Sequence, residues 1–464
     1  MPIWFQSIVV LFLVWIAARA IKRNTPILQR YFIPSSLIGG VILLGIGYQL
    51  VDIVPADISM WLAGLPAIII NVVFATMFIG QKRPKVKDIW QQAGPMIAFG
   101  NTIAWGMYVI GIGLTLLIFT PLFGTQPIFG SLLEISFSGG HGTAAGLAPT
   151  FTQLGAPEAT NVALGLATFS IIAAVISGIA IINIYNRRIG RILDKTSMVA
   201  QQNRMISRGY DLTRVQKNIE SRPRDLLFAL LVIGLAIGMG WTILQALVWL
   251  ENIILGGHTN IRVFAYLPLF PLAMFGGLII QQLLVRLHLD KHLVLPTLKT
   301  LSSISLDLLI ITAIGSMSLS AIGSNLPAFI ILALAGCIWI LAAFFLLAPK
   351  FFHKHWFEYG MTDVGQAMGM TATGLLLNRL VDPLNRTGAR EAFAYKQLAY
   401  EPFMGGGIVT AFAAVAIVEF GPLPVLIIGA VVTIFWLIVG LTIGRQRKKR
   451  HRYDRSFAKT ALSE

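Results

Sequence analysis

Acidic charge is scarce in this chain, and so are cysteine and histidine. Its 464 residues hold 20 Asp and Glu, one Cys and seven His, and charged residues make up 12% of the total. A soluble domain carries roughly 25%. A single cysteine excludes an intramolecular disulfide, and Cys337, inside an apolar run, reads as a free core thiol. No Cys/His cluster suits zinc, no span carries the His pairs of a haem site, and no Gly-x4-Gly-Lys-Ser/Thr string occurs. These absences exclude the familiar enzyme kits and an attached nucleotide-driven pump, so the expectation is a non-enzyme without a cofactor.

What fills the chain is apolar. It is 56% hydrophobic, with a mean hydropathy of +0.76. Runs such as "DLLFALLVIGLAIGMGWTILQALVWL" (Asp225 to Leu250) exceed the ~20 residues that cross a bilayer. The fold class is an all-α polytopic membrane protein. Eleven spans are expected, near 3–20, 35–52, 60–80, 92–119, 160–183, 226–250, 263–285, 300–320, 327–348, 404–418 and 423–443. Two glycine-rich segments, about 129–150 and 358–378, are left over.

The net charge of +16 has a topological reading. If both leftover segments are re-entrant hairpins, 35 of the 36 Lys and Arg fall on one face, Arg262 being the exception. That is the positive-inside bias. It puts the N-terminus outside, consistent with an apolar start that lacks a basic n-region. The tail "RQRKKRHRYDR" becomes an inner-face anchor near anionic lipid, with no nucleic-acid partner implied.

An internal repeat accompanies this. "PSSLIGG" (Pro34 to Gly40) and "PLAMFGG" (Pro271 to Gly277) each open the second span of a half. "TAAGL" (Thr143 to Leu147) and "TATGL" (Thr371 to Leu375) lie in the two leftover segments, in the same order. Five crossings per half turn the second half upside down. Inverted repeats with broken segments near mid-membrane are the architecture of secondary transporters. The divisions expected are a first repeat, 1–186, a basic cytoplasmic linker, 187–225, an inverted second repeat, 226–420, and an extra span with a basic tail, 421–464.

Backbone that is not helical cannot face lipid, because each orphan N–H or C=O costs several kcal/mol there. The segment "EISFSGGHGTAAGLAPT" (Glu134 to Thr150) must therefore be buried in protein or line a watery cavity. Its glycines allow a turn and close approach. A helix restarting at Thr143 aims N–H groups at a tip suited to an anion. Ser136, Ser138 and Thr143 offer hydroxyls to a carboxylate or a hard cation. The second segment, "YGMTDVGQAMGMTATG", offers Thr362, Asp363, Gln366, Thr371 and Thr373. Asp363 is either an intramembrane carboxylate for Na⁺, a proton or a substrate ammonium, or a cap at the inner mouth. His141 is a proton carrier or a neutral hydrogen-bonding strut. Asn71, Asn101, Asn161 and Thr168 lie in spans, where such side chains often join helices. Asp307, near the inner end of span eight, reaches interfacial water or serves coupling. Glu134 and Glu401 are expected at entrances, where they are solvated or attract cations.

"SGGHGTAAG", "IPSSLIGG", "ATNVALGLATFS" (Ala159 to Ser170) and "GQAMGMTAT", in this order, resemble the bacterial sodium/glutamate symporters. The resemblance runs over roughly residues 10–420. It implies Na⁺-coupled uptake of glutamate by an inner-membrane homodimer, with two inverted five-span repeats and a mobile core carrying both hairpins as an elevator. It carries substrate binding onto Ser138, Gly139, Gly140, His141, Gly142, Thr143, Gly365, Gly369, Thr371 and Thr373, with Asn101 in span four. Asp363, Ser136, Thr362, Asn161 and Asp307 are the coupling-ion candidates. The sequence also departs from the family. "MTDVG" stands where a Gly-His-Cys-Gly string is expected, Asn161 where an acidic residue is expected, and "EPFMGGGIVTAF" lacks an Asp. These departures keep two alternatives open: a proton- or Na⁺-coupled carrier of an amine-free carboxylate, and a cation channel or exchanger.

Overall fold

The computed structural model describes residues 2–30, 33–81, 85–188, 223–255 and 262–460. Apart from its two ends, the expected 187–225 linker lies outside the described residues. Among those described the chain is helical, with one isolated bridge between Gly47 and Val54 and no named strand.

Nine helices are long and apolar enough to cross a membrane among the described residues, where the sequence pattern predicts eleven spans. The two that fall short are Ser35–Ile46 and Ile408–Glu419, each 12 residues. At 1.5 Å per residue each is about 18 Å long, against a hydrocarbon core of about 30 Å. The first ends where the chain turns at Gly47 into the bridge with Val54.

The chain divides into two compact units, and each draws on both halves of the sequence. The first comprises residues 1–82, 141–165 and 183–325. Its core is aliphatic. Leu11, Val14, Leu43, Ile58, Leu62 and Ile311 form one buried cluster. A second gathers Ala75, Ala229, Val232, Ala236, Ala273 and Ile280. Both Gly-Gly pairs sit at close helix contacts. A Cβ on Gly40 would lie 2.6 Å from Ile314 Cβ, so Ser35–Ile46 rests directly on Leu295–Gly315. A Cβ on Gly276 would lie 2.1 Å from the Ala236 carbonyl oxygen, and one on Gly277 2.2 Å from that of Ala75. In lipid no hydrophobic force drives helices together, so such small-residue contacts supply the packing. Gly277→Leu is accordingly expected to cost about 3 kcal/mol or more, because backbone rather than a movable side chain blocks the new atoms. A lowered melting temperature of the purified protein would register it; an unchanged one would contradict the contact.

The second unit comprises residues 83–140, 166–182 and 326–464. Its central element is Val86–Leu114, which continues through a π-helical stretch, Thr115–Phe119, to Phe123. Trp339 Nε1 donates to the Ile103 carbonyl oxygen at 2.9 Å, tying Leu326–Leu346 to this helix. The last helix, Pro422–Thr460, also packs along it, and Arg447 donates to the Gln91 carbonyl oxygen at 2.8 Å.

Both leftover segments are broken helices. In the first, Pro127–Ser131 and Leu132–Phe137 lead to a break at Ser138 and Gly139, and helix resumes over Gly140–Gly146. The restart is earlier than the Thr143 expected. In the second, Trp356–Ala367 and Thr371–Val381 flank a turn at 368–370. Its arms pack at a glycine pair, where a Cβ on Gly365 would lie 2.8 Å from Gly374 Cα.

Candidate substrate and ion site

The second unit holds a buried polar core built from three stretches: the first arm, 127–137, of the broken helix at about 129–150 (for brevity, hairpin one), the broken helix at about 358–378 (hairpin two), and the segment 389–410. Gly140 adopts φ +69°, and a Cβ placed there would sit 3.5 Å from the Gly369 carbonyl oxygen. The two glycine breaks therefore lie side by side. A Cβ on Gly405 would come within 3.3 Å of the Ser138 carbonyl oxygen and 3.7 Å of Gln366 Nε2, which draws the third stretch into the same place.

Glu134 is the hub of the first arm. It is fully buried, not solvated at an entrance as the sequence suggested. Tyr108 Oη donates to its Oε2 at 2.7 Å, while the Gly405 N–H and Thr410 Oγ1 donate to Oε1 at 2.9 and 3.2 Å. The segment "EPFMGGGIVTAF", which lacks its expected Asp, thus receives a carboxylate from elsewhere in the chain. Ser136 Oγ, two residues short of the break, is buried with no hydrogen-bond partner among the described residues. An orphaned buried hydroxyl is costly unless something else satisfies it.

Hairpin two contributes Asp363. Its Oδ1 lies 3.0 Å from Lys396 Nζ, and neither side chain has any exposed surface. This corrects the topological count, which set Lys396 among the inner-face charges. Thr362 Oγ1 donates to the Glu358 carbonyl oxygen and accepts from Asn378 Nδ2, so it braces the two arms. Thr371 Oγ1 donates to Glu401 Oε1 at 2.7 Å, and Gln397 Nε2 donates to the same oxygen at 2.7 Å. Glu401 is half-buried rather than solvated. Thr373 Oγ1 would meet a Cβ on Gly369 at 2.7 Å, which holds that turn to glycine. Asn101 donates to the Ile97 carbonyl oxygen of its own helix.

The helix bearing Lys396, Ala389–Tyr400, is set by the loop before it. Asp382 there accepts from Thr387 Oγ1 and from the Arg386 and Thr387 N–H groups. Burial pushes its carboxyl up, but those hydrogen bonds outweigh it and hold the group below the usual carboxylate range.

The other expected site residues belong to the first unit. His141 and Thr143 are buried, and a Cβ on Gly142 would lie 2.9 Å from Ile70 Cδ1. Asn161 Oδ1 accepts from the Ser318 N–H at 2.7 Å. Asp307 pairs with Arg19 at 3.1 Å, with Trp15 Nε1 3.4 Å away.

Two broken helices, with acidic, amide and hydroxyl groups buried beside their breaks inside an otherwise apolar chain, suit a carrier of small polar solutes. The model of the sodium/glutamate symporter family matches residues 4–357. The chain belongs to the sodium/glutamate symporter family. It is a multi-pass membrane transporter and not an enzyme. No curated protein matches it significantly. The symporter match stops at residue 357, just before hairpin two as read from the sequence, so Asp363 and Lys396 lie beyond it. The sequence pattern gives Lys396, Tyr108 and Tyr400 no role in the site, and it sets Glu134 at an entrance rather than inside. A signal for Lys396 existed: it shares a helical face with Ala392, Phe393 and Tyr400, all buried.

Proposed function

We propose that this chain couples Na⁺ entry to uptake of glutamate or a related acidic solute by alternating access. The observation that carries the proposal is the shared polar core of the two broken segments, with Gly140 against the Gly369 carbonyl and Ser136 Oγ, four residues before Gly140 in the chain, buried and unsatisfied among the described residues. Substrate carboxylates meet the first hairpin's hydroxyls and N–H groups, and Na⁺ meets carbonyl and carboxylate oxygens. Ion and solute together favour a closed arrangement, since a ligand shifts a two-state equilibrium only through differential affinity.

Reciprocal packing supports an inverted repeat. The helix of the first Gly-Gly pair rests on Leu295–Gly315, the third span of the second half, and the helix of the second pair rests on Leu65–Thr76, in the third span of the first half. The unit holding hairpin two and the first arm of hairpin one is the natural moving part of an elevator. An inner-membrane homodimer with its N-terminus outside and C-terminus inside completes the reading; the basic residues other than Lys396 and Arg262 support that orientation.

One observation favours an amine-free carboxylate as the second reading. Asp363 is occupied by Lys396, and Glu134 by three donors, which leaves neither for a substrate ammonium. Uptake of labelled glutamate into proteoliposomes under an inward Na⁺ gradient, with K⁺ as control, decides between them. Na⁺-dependent accumulation competed by unlabelled glutamate is the expected result. No glutamate uptake, with uptake of a dicarboxylate lacking the amine, would install the second reading. Conductance without accumulation of either would replace both by a channel.

A further inference from the structure

Fully buried lysines are rare, and a buried charge is costly unless paired. Lys396 is fully buried. Its ammonium has Asp363 Oδ1 at 3.0 Å, donates to Gln366 Oε1 at 2.8 Å, and lies 3.7 Å from the centre of the Tyr400 ring. A carboxylate oxygen, an amide oxygen and an aromatic face are the partners a dehydrated monovalent cation takes. Space for the group is reserved by another helix: a Cβ on Gly100 would lie 2.5 Å from Lys396 Cε and 3.2 Å from Asp363 Oδ2. That second carboxylate oxygen has no hydrogen-bond partner among the described residues. A purely structural buried pair needs its remaining lone pairs satisfied; here acceptor capacity is left over, as in a ligand cage.

We infer that the Lys396 ammonium is a tethered cation, occupying a monovalent-cation site formed by Asp363, Gln366 and Tyr400 that would otherwise take an ion from solution. The inference rests on the cation-coupled reading above only in treating the cage as part of a carrier. Because the cation cannot leave, the site stays filled throughout the cycle and contributes nothing to coupling. Na⁺ that drives transport binds elsewhere.

Binding of ²²Na⁺ to the purified full-length protein, and its thermal unfolding in NaCl against choline chloride, test this without glutamate. Failure here is therefore separate from failure of glutamate uptake. Lys396→Ala is expected to bind about one Na⁺ more per chain than the wild type. Its melting temperature should rise several degrees with Na⁺, beyond any rise in the wild type. Adding Asp363→Asn to Lys396→Ala should remove the extra ion. Lys396→Ala with the wild-type Na⁺ count, or one that stays unfolded in NaCl as in choline, overturns the inference. Asp363→Asn/Lys396→Gln, in which neither charge of this pair remains, should keep the wild-type Na⁺ count. Loss of one ion there would show that Asp363 already ligates Na⁺ and would likewise overturn it.

Discussion

Gly140→Val is expected to leave a protein that inserts and folds but accumulates no solute. The reason is backbone geometry, not space. Gly140 holds φ +69° at the first hairpin's break, and the nearest atom to an added Cβ is an ordinary 3.5 Å away. Left-handed backbone costs an L-residue roughly 1–2 kcal/mol, and a β-branched residue is a true outlier there. Valine relieves that strain by shifting the turn, which moves Ser138 and the N–H groups following it away from Gly369. Because Asn tolerates left-handed backbone, Gly140→Asn should retain more uptake than Gly140→Ala, and Gly140→Ala more than Gly140→Val. Uptake per inserted protein in proteoliposomes gives the order; wild-type uptake by the valine variant would remove the break from the transport cycle.

The break was legible in the sequence because glycines and hydroxyls inside an apolar chain have few physical explanations. Lipid does not tolerate them, so they must turn, pack or bind. The Gly-Gly strings were legible for the same reason, and both prove to be places where backbone meets a neighbouring helix within 3 Å of a missing Cβ. Charged residues were read less well. Glu134, Glu401 and Lys396 each stand near a segment end, where composition alone suggests water. Their actual surroundings depend on residues distant in sequence: Glu134 meets Gly405 and Thr410, and Lys396 meets Asp363 and Gly100. Charge counting treats every lysine alike, and only the helical periodicity of the buried face of Ala389–Tyr400 separates Lys396 from the loop charges. Span length failed for a different reason. The apolar run at 35–52 falls within the range that can cross, but a turn at Gly47 cuts its helix to 12 residues; the run at 404–418 is already short of that range, and the glycines 405–407 leave it a 12-residue helix too.

Removing the Glu134 carboxylate should have the largest effect on stability. Three donors converge on it from Tyr108, Gly405 and Thr410, in a place without access to water. Glu134→Ala orphans all three, and each buried unsatisfied donor costs about 1–3 kcal/mol. The total, reduced where Tyr108 and Thr410 turn to other acceptors, is about 3–6 kcal/mol. Glu134→Gln is milder. Its amide oxygen can still accept from Gly405 and Thr410, and its NH₂ can donate to Tyr108 Oη once that hydroxyl rotates to accept. What it loses is the charge, and hydrogen bonds to an ionised acceptor are roughly twice as strong as neutral ones; about 1–3 kcal/mol is expected. Tyr108→Phe in the Glu134→Gln background should then cost less than in the wild type, because the bond it deletes has already been weakened, with a coupling of about 0.5–3 kcal/mol. Thermal unfolding of the four proteins measures this cycle directly. Equal losses for Glu134→Ala and Glu134→Gln would mean that the charge itself, not the three donors, holds hairpin one to the segment 405–410. Glu134 would then have to be regarded as a candidate cation ligand alongside the cage around Lys396.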